Sequence, residues 1–205
     1  MVVKGREVMQ IESFKTADIE EAARLTFDVW GDELQDESIR FRHFMYEAMV
    51  RYYCRSTDYS FKIVDDEARM QAFLLAAKAG ERNHSGEWFL RQVYKFSQRE
   101  RQLAQGYLRY LHYNGDQMLK RADSDDLLLC LFLSKVSGGG KSLLQNVELK
   151  AKETGIRKML LWADATCDYD YYLRRGFYQA DTFTNEVLPA MGKLPTIVYS
   201  KEVNL

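Results

Sequence analysis

The sequence predicts an α/β protein in which a central sheet carries helices on both faces. Three observations point there. Apolar residues recur at helical spacing in some stretches and alternate or run together in others. One almost wholly apolar run, 126–133, leads through three glycines into a helical pattern. Only two prolines, Pro189 and Pro195, occur in 205 residues, so long uninterrupted elements are expected.

Residues 8–14 read as the first strand, with Met9, Ile11 and Ser13 alternating against Val8, Gln10 and Glu12. Thr16 or Asp18 then caps a helix on which Ile19, Ala22, Ala23 and Phe27 share a face, and Gly31 ends it. Ser38 caps a second helix, whose apolar face is Phe41, Phe44, Met45, Ala48, Met49 and Tyr52. Strands 59–64 and 70–77 flank the polar turn Asp65-Asp66-Glu67 and so form a hairpin. A loop over 80–85 opens a helical insert, 86–121, expected in two pieces broken near Gly106 or Asn114-Gly115. The insert is aromatic, with Trp88, Tyr94, Tyr107, Tyr110 and Tyr113. That character suits a cover over a ligand site, a homodimer face or plain helix packing.

The run 126–133 reads as a strand buried on both faces. Helix 141–154 turns Leu143, Leu144, Val147 and Ala151 to one side and stops at Gly155. A buried strand at 159–163, a short helix at 168–175 stopped by Gly176, and strands at 177–183 and 196–203 complete the order. Strand, helix and strand over 126–163 imply a parallel pair with a right-handed crossover. No internal repeat or low-complexity linker breaks the chain, so a single domain over 1–205 is expected.

Composition narrows the function. The chain is 46% hydrophobic and 29% charged, with net charge -1 and no run of one sign. Grip on a nucleic-acid backbone needs a basic stripe, so a small molecule or a peptide is the expected partner. No apolar run is long enough for a bilayer, and the first ten residues lack the apolar core of a signal peptide. Cys54, Cys130 and Cys167 are odd in number and widely spaced, and His43, His84 and His112 are scattered. Neither set has the spacing of a disulfide frame or a metal site, so a reduced, cytoplasmic, metal-free protein is expected.

The chemically informative stretch is Lys135-Val136-Ser137-Gly138-Gly139-Gly140-Lys141-Ser142-Leu143-Leu144, directly after the buried strand. Glycines let a backbone approach a ligand closely, and the free N–H groups of a helix start suit a phosphate. Lys135 and Lys141 add positive charge. A merely structural turn would explain one glycine but accounts poorly for three in a row. Gly140-Lys141-Ser142 matches the end of a P-loop, Gly-x-x-x-x-Gly-Lys-Ser, although Lys135 stands where its first glycine belongs. In that reading the strand 159–163 with Asp164 mimics the magnesium-holding strand.

A second pattern lies downstream: Tyr171-Tyr172 on the short helix, then Gly176-Phe177. Lys135-x-x-Gly138-x-Gly140 with Leu143-Leu144, followed at the right interval by this aromatic helix, resembles the two signatures of the GNAT N-acetyltransferases. Lys135 stands where that family usually has Gln or Arg. The resemblance covers 127–183 and implies a mixed, mostly antiparallel sheet whose parallel strand pair splays at an acetyl-CoA site. It implies that the pantetheine arm lies along Cys130, Leu131, Phe132 and Leu133. The pyrophosphate then sits on Lys135, Val136, Ser137, Gly138, Gly139, Gly140, Lys141 and Ser142. Tyr172 matches the position of the proton donor to the leaving thiolate; a core tyrosine is its plain alternative.

Asp126 matches a carboxylate that some members place at the strand entry as a base, and a solvated turn explains Asp123-Ser124-Asp125-Asp126 equally well. Asp164 either touches substrate or closes a loop. Phe27, Trp30, Phe44 and Tyr46 are candidates for an acceptor pocket or for core. The function implied is acetyl transfer from acetyl-CoA to an amine of a small molecule or peptide. A P-loop nucleotide-binding protein and a non-catalytic acyl-CoA-binding module are the alternatives.

Overall fold

The computed structural model describes residues 9–164, 167, 169–187 and 193–203, with backbone alone at Glu33. Val8, Asp168 and Pro189 lie outside the described residues. The strands are β1 Gln10–Ser13, β2 Phe61–Val64, β3 Met70–Lys78, β4 Leu127–Ser134, β5 Lys158–Asp164, β6 Tyr178–Asn185 and β7 Leu194–Glu202. The helices are α1 Ile19–Trp30, α2 Ile39–Tyr53, α3 Gly86–Val93, α4 Gln98–Leu119, α5 Gly139–Glu153 and α6 Tyr169–Leu173.

The sheet has seven strands in the order β1-β2-β3-β4-β5-β7-β6. It is mixed and mostly antiparallel, and β4–β5 is the parallel pair expected from the strand-helix-strand unit. That pairing runs through Leu127↔Met159 and Leu128↔Leu160. The chain forms two compact units, one of residues up to Ala77 with Cys130–Lys150, the other of Lys78–Leu129 with Ala151 onward. All three boundaries fall inside elements, β3, β4 and α5, rather than in linkers.

In the first unit the core gathers Phe14, Phe41, Val50, Phe73, Leu74, Leu143 and Val147, all at most 1% exposed. Ser38 caps α2 as expected, its Oγ accepting the Phe41 N–H at 3.2 Å. Two details depart from the sequence reading. All four residues of β1 are exposed, because β1 is an edge strand that pairs with β2 alone, and Phe14, one residue later, carries the burial. Asp18 occupies the cap position of α1 without capping it, since its carboxylate accepts from the Lys15 N–H and pairs with Lys62 at 2.9 Å.

The second unit corrects the insert. Its break lies between Val93 and Gln98, not at Gly106 or Asn114-Gly115. Ser97 and Glu100 form a capping box there, which starts a helix firmly. Gly106 and Gly115 sit buried inside the 22-residue α4. Gly155 ends α5 at φ 73°, with Ile156 N–H to Ala151 O at 2.9 Å and Gly155 N–H to Lys152 O at 3.1 Å. This is the Schellman arrangement expected at a C-terminal glycine. β7 pairs with the whole length of β5 through Thr196–Glu202 and leaves β6 as the far edge. Among the described residues no helix is long and apolar enough to cross a membrane.

Candidate active site

β4 ends at Ser134 and α5 starts at Gly139, so the glycine loop spans only four residues and α5 begins inside the glycine run, two residues before the expected start. Ser134 Oγ donates to Val136 O at 2.9 Å and accepts the Val136 N–H at 3.3 Å, which folds the loop onto the strand end. Lys135 N–H donates to Gln71 O at 2.9 Å and extends the sheet by one rung. Gly138 has φ 77°, a conformation other residues adopt at a cost. Gly139 is required for space: a Cβ there would lie 2.5 Å from Ser134 Oγ and 2.8 Å from Val136 Cγ2.

The first turn of a helix leaves N–H groups without intrahelical partners. Here the Gly139 N–H goes to Val136 O at 3.2 Å, and no acceptor among the described residues takes those of Gly140 or Lys141. Two N–H donors therefore stand at the positive end of a 15-residue helix, with Lys141 exposed beside them. Lys135 is committed differently: its Nζ pairs with Asp28 of α1 at 2.6 Å.

In the second unit, α6 is a single turn with no buried residue. Tyr172 is half-buried, its ring 5.6 Å from Tyr199 and 6.2 Å from Phe177. Its carbonyl accepts both the Arg175 and the Phe177 N–H, and Gly176 at φ 81° makes that turn. Tyr171 packs beneath the Arg175 guanidinium, 5.2 Å from ring centroid to Cζ. Asp164 closes β5 at 5% exposure and accepts the hydroxyl proton of Tyr110 from α4. Burial, and then the bond to Asp164, push the Tyr110 phenol far above the ordinary tyrosine value, so it stays a neutral donor. Burial likewise raises Tyr169 and Tyr199.

Asp126 is buried at the entry of β4, and its Oδ2 accepts the Asp123 N–H at 2.8 Å and pairs with Lys158 at 2.7 Å. The bond to Asp126 raises the Lys158 pKa although burial opposes it. Because the folded value is raised, the pair's stabilisation is complete below the ordinary lysine pKa of about 10.4 and fades as pH climbs through the folded value. Lys158→Met is expected to lower the unfolding free energy at pH 7 by roughly 1–2 kcal/mol, since it strands a buried carboxylate. Urea unfolding at pH 7 and again above pH 11 checks this: the deficit should shrink at the higher pH.

Solved structures similar to this chain include N-acetyltransferases. The ribosomal-protein-S18-alanine N-acetyltransferase of Escherichia coli aligns with a TM-score of 0.53 at 13% identity, over 97% of this chain and 96% of that one. Arylalkylamine N-acetyltransferase 2 of Aedes aegypti aligns with a TM-score of 0.55 at 10% identity, over 96% and 99%. A protein assigned to the GNAT acetyltransferases of Desulfovibrio desulfuricans aligns with a TM-score of 0.54 at 12% identity, over 96% and 99%. The fold is that of the GNAT N-acetyltransferases. No protein-family model and no curated protein matches the chain in sequence.

Within the GNAT fold, the glycine loop and the aromatic helix fall on the elements the motifs predicted. Of the acceptor-pocket candidates, Phe44 and Tyr46 are core residues, while Phe27 and Trp30 are half-buried. Phe27 stacks on His43 at 4.0 Å, and Tyr46 bonds to the Trp30 carbonyl. Sequence reasoning missed the Tyr110–Asp164 and Lys135–Asp28 contacts, which join residues 54 and 107 positions apart. The three cysteines stay as thiols, and among the described residues no cluster of His, Cys, Asp or Glu is placed to hold a metal.

Proposed function

We propose that this chain is an acetyl-CoA-dependent N-acetyltransferase that acetylates an amine of a small molecule or peptide, working as one cytoplasmic domain. The observation that carries the reading is the loop after β4 in a GNAT fold: Gly138 in the left-handed region, Gly139 with no room for a Cβ, and amides of Gly140 and Lys141 left for an anion. Backbone N–H groups at a helix start complement a pyrophosphate, so these residues fit the cofactor. The amides of Ser137, Gly138, Gly140 and Lys141 would hold the pyrophosphate, with Val136, Gly139 and Ser142 shaping the loop. Cys130, Leu131, Phe132 and Leu133, beyond the rungs that β4 shares with β5, would take the pantetheine arm as an added strand does. Lys135 would reach the anion by leaving Asp28.

Bound there, acetyl-CoA supplies an activated acyl group for direct attack by a neutral amine. The chain's task is then to move two protons. Tyr172 Oη would give one to the departing sulfur, and Asp126 would take one from the amine once Lys158 yields its place. The acceptors for which two of these neighbours are named, a ribosomal-protein alanine and an arylalkylamine, are different kinds of amine. The fold therefore leaves the choice of amine to residues particular to this chain.

Thermal unfolding tests the reading. Acetyl-CoA at a hundred times its dissociation constant should add about 2.7 kcal/mol. At roughly 2–4 °C per kcal/mol for a chain of this size, Tm should rise by several degrees. ATP with magnesium should leave it unchanged. A shift with ATP alone would replace this reading with the P-loop one. A shift with acetyl-CoA but no thiol release across a panel of primary amines and peptides would make the chain an acyl-CoA-binding module.

A further inference from the structure

We propose that Tyr110 of the helical insert is a positioning residue for Tyr172, acting through Asp164; this rests on the acetyltransferase reading above. A five-residue helix without a buried residue does not hold itself, because one turn of hydrogen bonds scarcely offsets its nucleation. Besides the packing of Tyr172 on Tyr199 and Phe177, the placement of α6 is set by what grips its two ends.

The exit of α6 is gripped by the Tyr172 carbonyl, which takes two N–H groups, and by Lys201 Nζ, which donates to Arg175 O at 2.8 Å. The entry is gripped by Asp164, whose carbonyl accepts the Cys167 N–H at 3.0 Å and whose Oδ1 lies 3.9 Å from Cys167 Sγ. Asp164 is the last residue of β5 and pairs with Thr196 of β7, which sets its backbone, while the direction of its carboxylate depends on what bonds to it. Tyr110 supplies that restraint with a hydrogen bond from the middle of the 22-residue α4. Tyr110 is itself held, its ring edge-on to Trp162 at 6.0 Å and stacked with Tyr107 at 5.9 Å. The contacts run from α4 through Tyr110 and Asp164 to Cys167, which precedes the turn that carries Tyr172. It gives the insert a role in the chemistry, as the support of the proton donor.

Amide exchange tests the support without any substrate. In Tyr110→Phe the amides of Cys167 and Arg175 should exchange about tenfold faster than in wild type, as the loss of a bond to a carboxylate implies. Tyr113→Phe removes a hydroxyl from the same helix, one that bonds Thr184 O at 3.1 Å, and should leave both amides at wild-type rates. Unchanged exchange in Tyr110→Phe, or equal acceleration in Tyr113→Phe, would overturn the proposal. Should Tyr110→Phe not fold, Asp164→Asn keeps an acceptor for Tyr110 and Asp164→Leu does not. The first should hold α6 and the second release it, and equal behaviour again overturns the idea.

Kinetics then separates positioning from general loosening. Tyr110→Phe should lower kcat by about 10- to 100-fold, as a displaced catalytic group does, with the amine KM and acetyl-CoA affinity within about twofold. Combined with Tyr172→Phe it should cost nothing further, because the donor it positions is gone. Additive losses would sink the link to Tyr172. If wild type moves no acetyl group, the acetyltransferase reading fails, while the exchange experiment still decides whether Tyr110 supports α6.

Discussion

Tyr172→Phe is expected to lower kcat by about 10²–10⁴-fold, the usual range for a lost general acid, with acetyl-CoA affinity within about twofold of wild type. The substitution removes one oxygen and keeps the ring, whose contacts with Tyr171, Phe177 and Tyr199 are aromatic. The ring packing therefore survives. The signature is a fall in kcat and kcat/KM together, which marks an interaction made in the transition state and not in the ground state. Steady-state rates by thiol release, with calorimetric binding of acetyl-CoA, measure both quantities. Wild-type turnover would remove the proton-donor role and leave Tyr172 as a half-buried packing ring.

Gly139→Ala is expected to weaken acetyl-CoA binding by about 10- to 100-fold, the equivalent of one lost charge-assisted hydrogen bond. It should also cost roughly 1–3 kcal/mol of stability through overpacking. The new methyl would meet Ser134 Oγ and Val136 Cγ2 well inside contact distance, with Ile63 Cδ1 at 3.4 Å behind them. Ser134 cannot simply rotate away without giving up its bonds to Val136. The loop backbone must move, and the amides of Gly140 and Lys141 move with it. Ser134→Ala in the same chain removes the nearest clash and should recover part of the affinity. At Gly138 the space beside the Cα is open, so Gly138→Ala should cost only the strain of its φ 77°. Equal affinities for wild type and Gly139→Ala would mean that the loop does not hold the pyrophosphate.

Much of the fold was legible because its signals are local. The Ser38 cap, the apolar face of α5, the stop at Gly155 and the turn at Gly176 each rest on residues within one helical turn of one another. The same holds for the glycine loop, which announces a backbone approached closely. The misplaced break in the insert shows the limit of reading glycine alone. Gly106 and Gly115 read as interruptions in the sequence, whereas both lie buried inside an unbroken helix, and the Ser97–Glu100 box was the better guide.

By itself the sequence determined the kind and order of the elements, the parallel β4–β5 unit, the anion-suited loop and the aromatic turn at Tyr172. Period, capping and φ preference act over a few residues and need no knowledge of the rest of the chain. Only the tertiary structure decided that β7 lies between β5 and β6, that Lys158 holds Asp126, that Asp28 holds Lys135 and that Tyr110 holds Asp164. Those pairings join distant residues whose types are common at every surface and core. Which of them meet depends on how the elements close and pack, and no spacing along the chain records that.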